Sequence, residues 1–504
     1  MSGEVSLTGA FEHHWVTFMT LRFDPTDVER FKADIRQIPG YPAGEGIPIR
    51  GMVFESGAIF RLPALLERAG ARPDRPLVVV MDGTPMKREN DDLKPFLLAR
   101  LRDAGWNAEP VWLEPDATGQ VHTDMRQIGQ VKSRLRPGAA VLSVGSGTVT
   151  DIAKHAAHLY QNEAPGALLP FVVYQTANSV NAFTSNMASV FVDGVKRTLN
   201  SRYPDVLVCD LETLRDAPRA MTAAGVGDLV TLYSSLPDWY LAHRLGLDSN
   251  YSAFAQVLMG ALDETLEANA EAIRAGGLDG TATLTKLITL GGLAMSLSHA
   301  TTPFSGWEHV VSHLLDLLCE LDGRPLPLHG SQVALSALLT TEAYRIFLSE
   351  FEPAELDPAR CYPSAGAMHT RIRAALDPLD PSGRSAAECW SDYQQKLEAW
   401  ATHRADFEDA LRDWDAVRGQ LQSLTRPPER LAAILKAVGG PLDFGELDPP
   451  RTEAEVKFAF QNAPLIRRRL SLGDLFIFLE WDRESLWTRV NSGLARLHCP
   501  LDTN

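Results

Sequence analysis

The stretch SGWEHVVSHLLDL, residues 305–317, sets His309 and His313 four residues apart, with Glu308 beside the first. In a helix, residues i and i+4 share one face. The pair can therefore hold a metal, move a proton or simply pack. Two further metal-capable side chains stand well away in the chain. Asp228 lies in AAGVGDLV, expected to start a helix, and His329 lies in PLPLHGSQVAL, just before a glycine and the next helical run. One carboxylate and two neutral imidazoles make a three-ligand set that leaves positions open for water or substrate. Such an open site can polarise an alcohol oxygen so that it loses its proton near neutral pH. That is the condition for a hydride to leave the adjoining carbon. Most of the 13 histidines carry no usable motif, His122 and His158 among them.

A second chemical signal is VLSVGSGTVTDIAKHAA. Four β-type residues precede Gly145, Ser146, Gly147 and Thr148, and a helical run follows. Glycines permit a tight turn and close backbone approach, and a helix N-terminus offers free N–H groups with a partial positive charge. Together these features suit a pyrophosphate. The spacing is not G-x-G-x-x-G, so by itself it reads equally as a plain strand-to-helix turn. Upstream, VVVMDGTP ends in Asp82 at the carboxyl edge of a strand. Ligands of open α/β sheets sit beyond that edge, and a carboxylate there can accept hydrogen bonds from a ribose diol. The alternative is a turn aspartate beside Gly83.

These residues need elements to position them. The periodicity predicts a helix over 55–70, a strand over 76–85, a helix over 90–105, a strand over 108–115 and a helix over 123–138. Strand, glycine turn and helix follow over 139–160, then a strand over 168–177. Alternation of this kind means βαβ units and a parallel sheet. After about residue 211 the pattern is helical to the C-terminus. The segment TLRFDPTDVERFKADIRQ near the start is compatible with a strand and a short helix. Residues 351–388 are loop-rich and prolyl, and a strongly charged helical run follows, reading as an insertion with a solvated face. The expected organisation is an N-terminal extension (1–50), an α/β dinucleotide-binding domain (51–210) and a helical metal-binding domain (211–504) with an insertion near 351–430.

Composition narrows the function classes. A chain of 504 residues has room for two or three domains of about 150 residues, and 45% hydrophobic with 22% charged residues is ordinary for a globular protein. The net charge of −16 argues against nucleic acid or an anionic membrane as partner. Cysteines at 209, 319, 361, 389 and 499 form no CxxC pair, which points to reduced thiols and a cytoplasmic protein. No signal peptide and no apolar run of about 18 residues is visible.

The motifs GSGTVTDIAKHAA, QTANSVNAFTSNMA, APRAMTAAGVGDLV, SGWEHVVSHLLD, LHGSQVA and LIRRRLSLGDLF occur in that order. As a set they resemble the iron-containing alcohol dehydrogenase superfamily, and within it the sn-glycerol-1-phosphate dehydrogenase branch. The resemblance implies a dehydroquinate synthase-like fold, an α/β dinucleotide-binding half with a parallel sheet, and an all-α metal-binding half with the active site between them. It implies NAD(H) or NADP(H) and one divalent ion, zinc first, with iron or nickel as alternatives. It also implies a small phosphorylated polyol or its ketone as substrate. Carried over residue by residue, the metal ligands are Asp228, His309 and His329, and His313 faces the nicotinamide and substrate. The cofactor residues are Asp82, Gly145, Ser146, Gly147, Thr148, Asp151, Lys154, Thr176, Ser179 and Ser185. Asp82 implies NAD, because a 2′-phosphate would be repelled there.

Two positions depart from the family pattern. Asn181 replaces the aspartate that meets the substrate hydroxyls; an amide still hydrogen-bonds but cannot take a proton. Leu232 replaces a lysine four residues after the metal aspartate. Lys196, Arg197 and Arg467 to Arg469 are candidate partners of a phosphate. Two rival readings follow: a dehydroquinate synthase-type cyclase using NAD and metal transiently, and a catalytically impaired nucleotide- or sugar-phosphate-binding protein. The added segments suit a reshaped pocket or a homo-oligomer contact.

Overall fold

The structure is a computed structural model and describes residues 21–42, 44, 46–166, 168–192 and 195–498. His13, His14 and Cys499, named above, lie outside them.

Among the described residues, ten strands fall between residues 51 and 210: β1 Gly51–Glu55, β2 Pro76–Asp82, β3 Lys87–Arg88, β4 Asp91–Asp92, β5 Asn107–Leu113, β6 Ala140–Gly145, β7 Phe171–Gln175, β8 Met187–Val192, β9 Val195–Asn200 and β10 Val206–Asp210. Six form one sheet in the order β1-β10-β7-β6-β2-β5, every pairing parallel. The apolar runs LVVVM and AVLSV are buried on both faces, as parallel strands between helices must be. Alternation along β2 sends Leu77, Val79 and Met81 to a cluster with Leu66, Leu97 and Leu101. Val78 and Val80 point the other way, into a core shared with Ile152, Leu229 and Ile288.

The sheet order decides where a ligand can sit. From β2 the chain passes through the helix Leu93–Asp103 to β5 on one side. From β6 it passes through the helix Gly147–Glu163 to β7 on the other side. Neighbouring strands β2 and β6 therefore send their connections apart, which opens a crevice beyond their carboxyl ends. Asp82 closes one of these strands and Gly145 the other.

From Leu211 onward all regular structure among the described residues is helical. A second core gathers Leu314, Phe347, Trp400, Phe476 and Trp487.

Several expectations are corrected. Among the described residues before Gly51 no strand forms; they carry the helix Val28–Ile35, N-capped by Asp27. Phe31, Ile35 and Ile49 enter the main core, and Asp24 pairs with Lys286 at 2.8 Å. The described part of the expected extension is thus packed structure. Residues 55–70 begin as the 3₁₀ turn Ala58–Arg61, with the helix itself at Leu62–Arg68. The hairpin β8–β9 and the strand β10 were not anticipated. The charged run is three helices, Arg384–Thr402, Arg404–Arg412 and Trp414–Leu424.

Candidate active site

Asp228 sits in the last turn of the helix Arg219–Val230, which starts after Pro218; the expectation that it opens a helix is corrected. His329 is the first residue of the helix His329–Glu350. These two helices touch backbone to backbone. A Cβ on Gly227 would collide with the carbonyl of Gly330, and one on Gly330 with that of Ala224. Only glycine permits so close an approach, and it brings Asp228 to His329. The helix Trp307–Asp322 supplies His309. One ligand atom from each of Asp228, His309 and His329 lies within 4.8 Å of the others.

Hydrogen bonds orient two of the three, His309 and Asp228. His309 Nδ1 lies 2.9 Å from Glu308 Oε1, and Glu308 also accepts from Ser234 Oγ at 2.9 Å and from the Gly306 amide at 2.6 Å. Glu308 therefore holds the His309 proton on Nδ1 and turns the Nε2 lone pair toward Asp228 Oδ1, 3.7 Å away. The other Asp228 oxygen accepts from the Asn181 amide at 2.8 Å. His329 Nδ1 is buried with no hydrogen-bond partner among the described residues. Converging acceptors with an orphaned imidazole nitrogen fit a bound cation.

Burial opposes charge on His309, but the Asp228 and Glu308 carboxylates beside it outweigh that and raise its pKa, so a cation bound at Nε2 would take the place of a proton. Burial, with Lys196 and His309 nearby, drives His329 well below the ordinary imidazole value. Burial likewise drives His313 far down, helped by Arg467 and Lys196. Arg467 Nη2 lies 3.3 Å from His313 Nδ1. His313 lies nearly parallel to His329, with ring centroids 6.0 Å apart.

A cavity of about 820 Å³ joins this cluster to the crevice of the sheet. Asp82, Ser146, Gly147 and Thr148 line one end; Asp228, His309, His313 and His329 line the other. Ser146 is the N-cap of the helix Gly147–Glu163, and a Cβ at Gly147 would lie 2.6 Å from Val180. The turn is thus closed to larger residues while its free N–H end opens on the cavity, which fits a pyrophosphate. Gly145 lies beneath it, where any Cβ would strike Val149. Ser179, Asn181 and Ser185 also line the cavity, and the Asn181 amide nitrogen Nδ2 is buried without a partner.

Some named residues lie differently. Lys154 is fully buried and outside the lining; its Nζ donates to Asp151 at 2.9 Å and to the carbonyls of Ala182 and Met187 at 2.8 and 2.9 Å. Asp151 touches the cavity, but its other oxygen accepts from the Ser189 amide at 3.0 Å. Both residues pin the 182–189 loop. Thr176 is also outside the lining, its amide bonded to the Gly145 carbonyl at 3.1 Å. Leu232 is buried in the apolar core, not at the cavity. Arg197 is spent on Glu388 and on Asp392 at 2.7 Å.

Other contributors carried no sequence motif. Lys94 holds Asp82 at 2.5 Å, and Thr84 donates to the other Asp82 oxygen at 2.6 Å. Gln120 and Leu326, both in the cavity wall, exchange two hydrogen bonds of 2.8 Å, and His122, also in the wall, lies 3.1 Å from Glu320. Nothing local in the sequence signals the Gln120–Leu326 and His122–Glu320 pairs, because their partners are some 200 residues apart.

Comparison with known proteins agrees with this arrangement. A family model described as iron-containing alcohol dehydrogenase matches residues 53–218. Glycerol-1-phosphate dehydrogenase [NAD(P)+] of Bacillus subtilis is 32% identical over 298 residues, covering 59% of this chain and 73% of the relative. The protein of that name from Geobacillus stearothermophilus is 32% identical over 320 residues, covering 62% and 76%. In fold, the chain is similar to the alcohol dehydrogenase of Oenococcus oeni (TM-score 0.53, 15% identity, 88% of this chain and 97% of that one). It is similar also to the NADH-dependent butanol dehydrogenase A of Thermotoga maritima (TM-score 0.52, 15% identity, 92% and 100%). Sequence, fold and cavity lead to one conclusion: the chain belongs to the iron-containing alcohol dehydrogenase family.

Proposed function

We propose that the protein is a metal-dependent NAD(P) oxidoreductase interconverting a small phosphorylated polyol and its ketone, with glycerol-1-phosphate and dihydroxyacetone phosphate as the type pair. The observation that carries this reading is one cavity with the glycine turn at one end and Asp228, His309 and His329 at the other. The substrate is taken from the Bacillus and Geobacillus relatives, whose names specify it.

In this reading Asp228, His309 and His329 hold the cation, and Glu308 sets the His309 tautomer. A divalent ion there would supply Lewis acidity at the carbinol oxygen, and a nicotinamide a hydride acceptor. Ser146, Gly147 and Thr148 bind the pyrophosphate. Asp82, held by Lys94 and Thr84, meets the adenosine ribose and favours NAD over NADP. Asn181 presents its unpaired amide to a substrate hydroxyl. His313 is neutral and accepts from Arg467 at Nδ1, so its Nε2 carries the proton and donates to the substrate oxygen. With a nicotinamide bound to accept the hydride of the carbinol carbon, the hydroxyl proton would leave to solvent.

The test is NADH consumption with dihydroxyacetone phosphate by protein reconstituted with zinc, iron or nickel in turn. Turnover that stops on chelation and returns with metal is the expected result. Conversion of a substrate with no net change in the cofactor would move the assignment to a cyclase. Tight NADH binding without turnover of any ketone phosphate would leave only a binding protein.

A further inference from the structure

Beside the main cavity lies a second one of about 590 Å³, and the two share Met187, Thr198, Thr301 and Ser305 as walls. Arg467, Arg468 and Arg469 line it, together with residues of the helix Arg384–Thr402. Arg467 donates only to the carbonyls of Ile466 and Lys196 and to His313 Nδ1. Arg469 donates only to the Ser305 carbonyl and hydroxyl and to Thr301 Oγ1. All these acceptors are neutral. Among the described residues neither guanidinium has a carboxylate in ion-pair contact, although burial pushes Arg467 down to about 10 and lowers Arg469 as well. Both are half-buried, and cations drawn out of water are as a rule paired.

The acids of the same walls are already committed. Asp392 pairs with Arg197. Asp238 accepts from Tyr344 at 2.6 Å and from the Trp307 and Leu472 amides at 2.7 and 2.8 Å. Asp248 accepts from the Asn250 amide. Lys396, by contrast with the arginines, is neutralised by Asp474 at 2.7 Å. Two cations thus lack a directly bonded carboxylate, with Asp392 acting on Arg467, and Glu308, Asp238 and Asp248 on Arg469, only through space, and the exposed Arg468 stands between them in sequence. Planar guanidinium forks match the geometry of a phosphate.

We infer that this second cavity is an anion subsite that seats the phosphomonoester end of the substrate on Arg467 and Arg469, with Arg468 at its edge. The inference rests on the proposed dehydrogenase reading. Arg467 is the hinge of the arrangement: it faces the second cavity and touches His313, which lines the metal end of the first. The phosphate and the reacting carbon lie on either side of that contact. Pockets of roughly 300–1,000 Å³ suit drug-sized ligands, so there is room for carbon atoms behind the phosphate as well.

The experiment compares kcat/KM for dihydroxyacetone phosphate with that for dihydroxyacetone, in the parent protein and in Arg467→Gln, Arg469→Gln and Arg467→Lys. In parallel, inorganic phosphate is titrated calorimetrically into each NADH-loaded protein. We expect the preference for the phosphorylated ketone to fall about 10- to 100-fold in each glutamine variant, as loss of charge-assisted hydrogen bonds requires. Partial retention is expected in Arg467→Lys, and calorimetric phosphate binding should be lost from both glutamine variants. Equal losses for both ketones would overturn the subsite and make the arginines structural. Phosphate that binds without competing against the phosphorylated ketone would also overturn it, by identifying a separate effector. If no ketone is reduced but phosphate binds in an arginine-dependent way, the dehydrogenase reading fails and an anion site alone stands. If ketones are reduced with no preference for the phosphorylated one, the dehydrogenase stands and the subsite falls.

Discussion

Glu308 shows how much of the candidate site depends on groups one bond removed from it. Its carboxylate accepts from His309 Nδ1, Ser234 Oγ and the Gly306 amide, so it cannot rotate away without breaking all three. Glu308→Gln should therefore weaken metal binding about 10- to 100-fold while the fold persists, which competition with a chromogenic chelator measures. His309→Ala should lose metal and activity together; metal retained at full stoichiometry after dialysis would remove His309 from the ligand set. At this scale the sequence was informative about residue types and poor about roles. His309 and His313 look alike in a helical pattern, but only the first has a carboxylate on its Nδ1. Lys154 sits three residues from Asp151 and has the appearance of a ligand contact. Its Nζ instead turns inward to two carbonyls and that carboxylate.

The helix Gly147–Glu163 works at both of its faces. Its N-terminal turn opens on the cavity, and one turn further Asp151 and Lys154 clamp the loop that carries Asn181 and Ser185. Gly147→Ala would place a methyl group 2.6 Å from Val180. Nucleotide affinity should drop about tenfold or more, with a stability loss of about 1–3 kcal/mol from overpacking; NADH titration by fluorescence and urea denaturation give the two numbers. Lys154→Met leaves the Asp151 carboxylate buried beside no cation. Loss of a partner of this kind costs about 3–5 kcal/mol, and the chemical denaturation midpoint should fall accordingly. An unchanged midpoint would mean the clamp contributes nothing. The runs LVVVM and AVLSV were legible as buried strands because helical runs on both sides set the strand–helix alternation. VLVCD of β10 is as long and as buried, but it follows the hairpin β8–β9 and no helix, so the alternation did not mark it.

Across the whole molecule, part of the cavity wall is built by contacts between distant parts of the chain. Gln120 and Leu326 share two hydrogen bonds, and His122 Nδ1 lies 3.1 Å from Glu320, with Asp116 3.4 Å from its other nitrogen. The Glu320 carboxylate raises the His122 pKa against the opposing effect of burial. Because the folded value is raised, the stabilisation is complete below the ordinary histidine value of about 6.5 and fades as pH climbs through the folded value. The difference in melting temperature between the parent protein and His122→Ala should thus be largest near about pH 6 and shrink toward about pH 9. A gap that stays constant or widens with pH would show that His122 is not acting as a charged partner. The described part of the first 50 residues belongs to this scale too. Its apolar residues enter the main core, although composition alone gave them no partner.

From the residues alone came the parallel α/β half, the helical half, the glycine turn and the three metal-capable side chains. Hydrophobic period and residue chemistry are local properties, and they survive without coordinates. Only the tertiary structure decided that Asp228, His309 and His329 share one point, because Gly227 and Gly330 let two helices meet at their backbones. It alone turned Lys154 inward, set His122 beside Glu320, and left Arg467 and Arg469 without a directly bonded carboxylate. Each of these depends on which distant group occupies the remaining space, and chain spacing does not encode that.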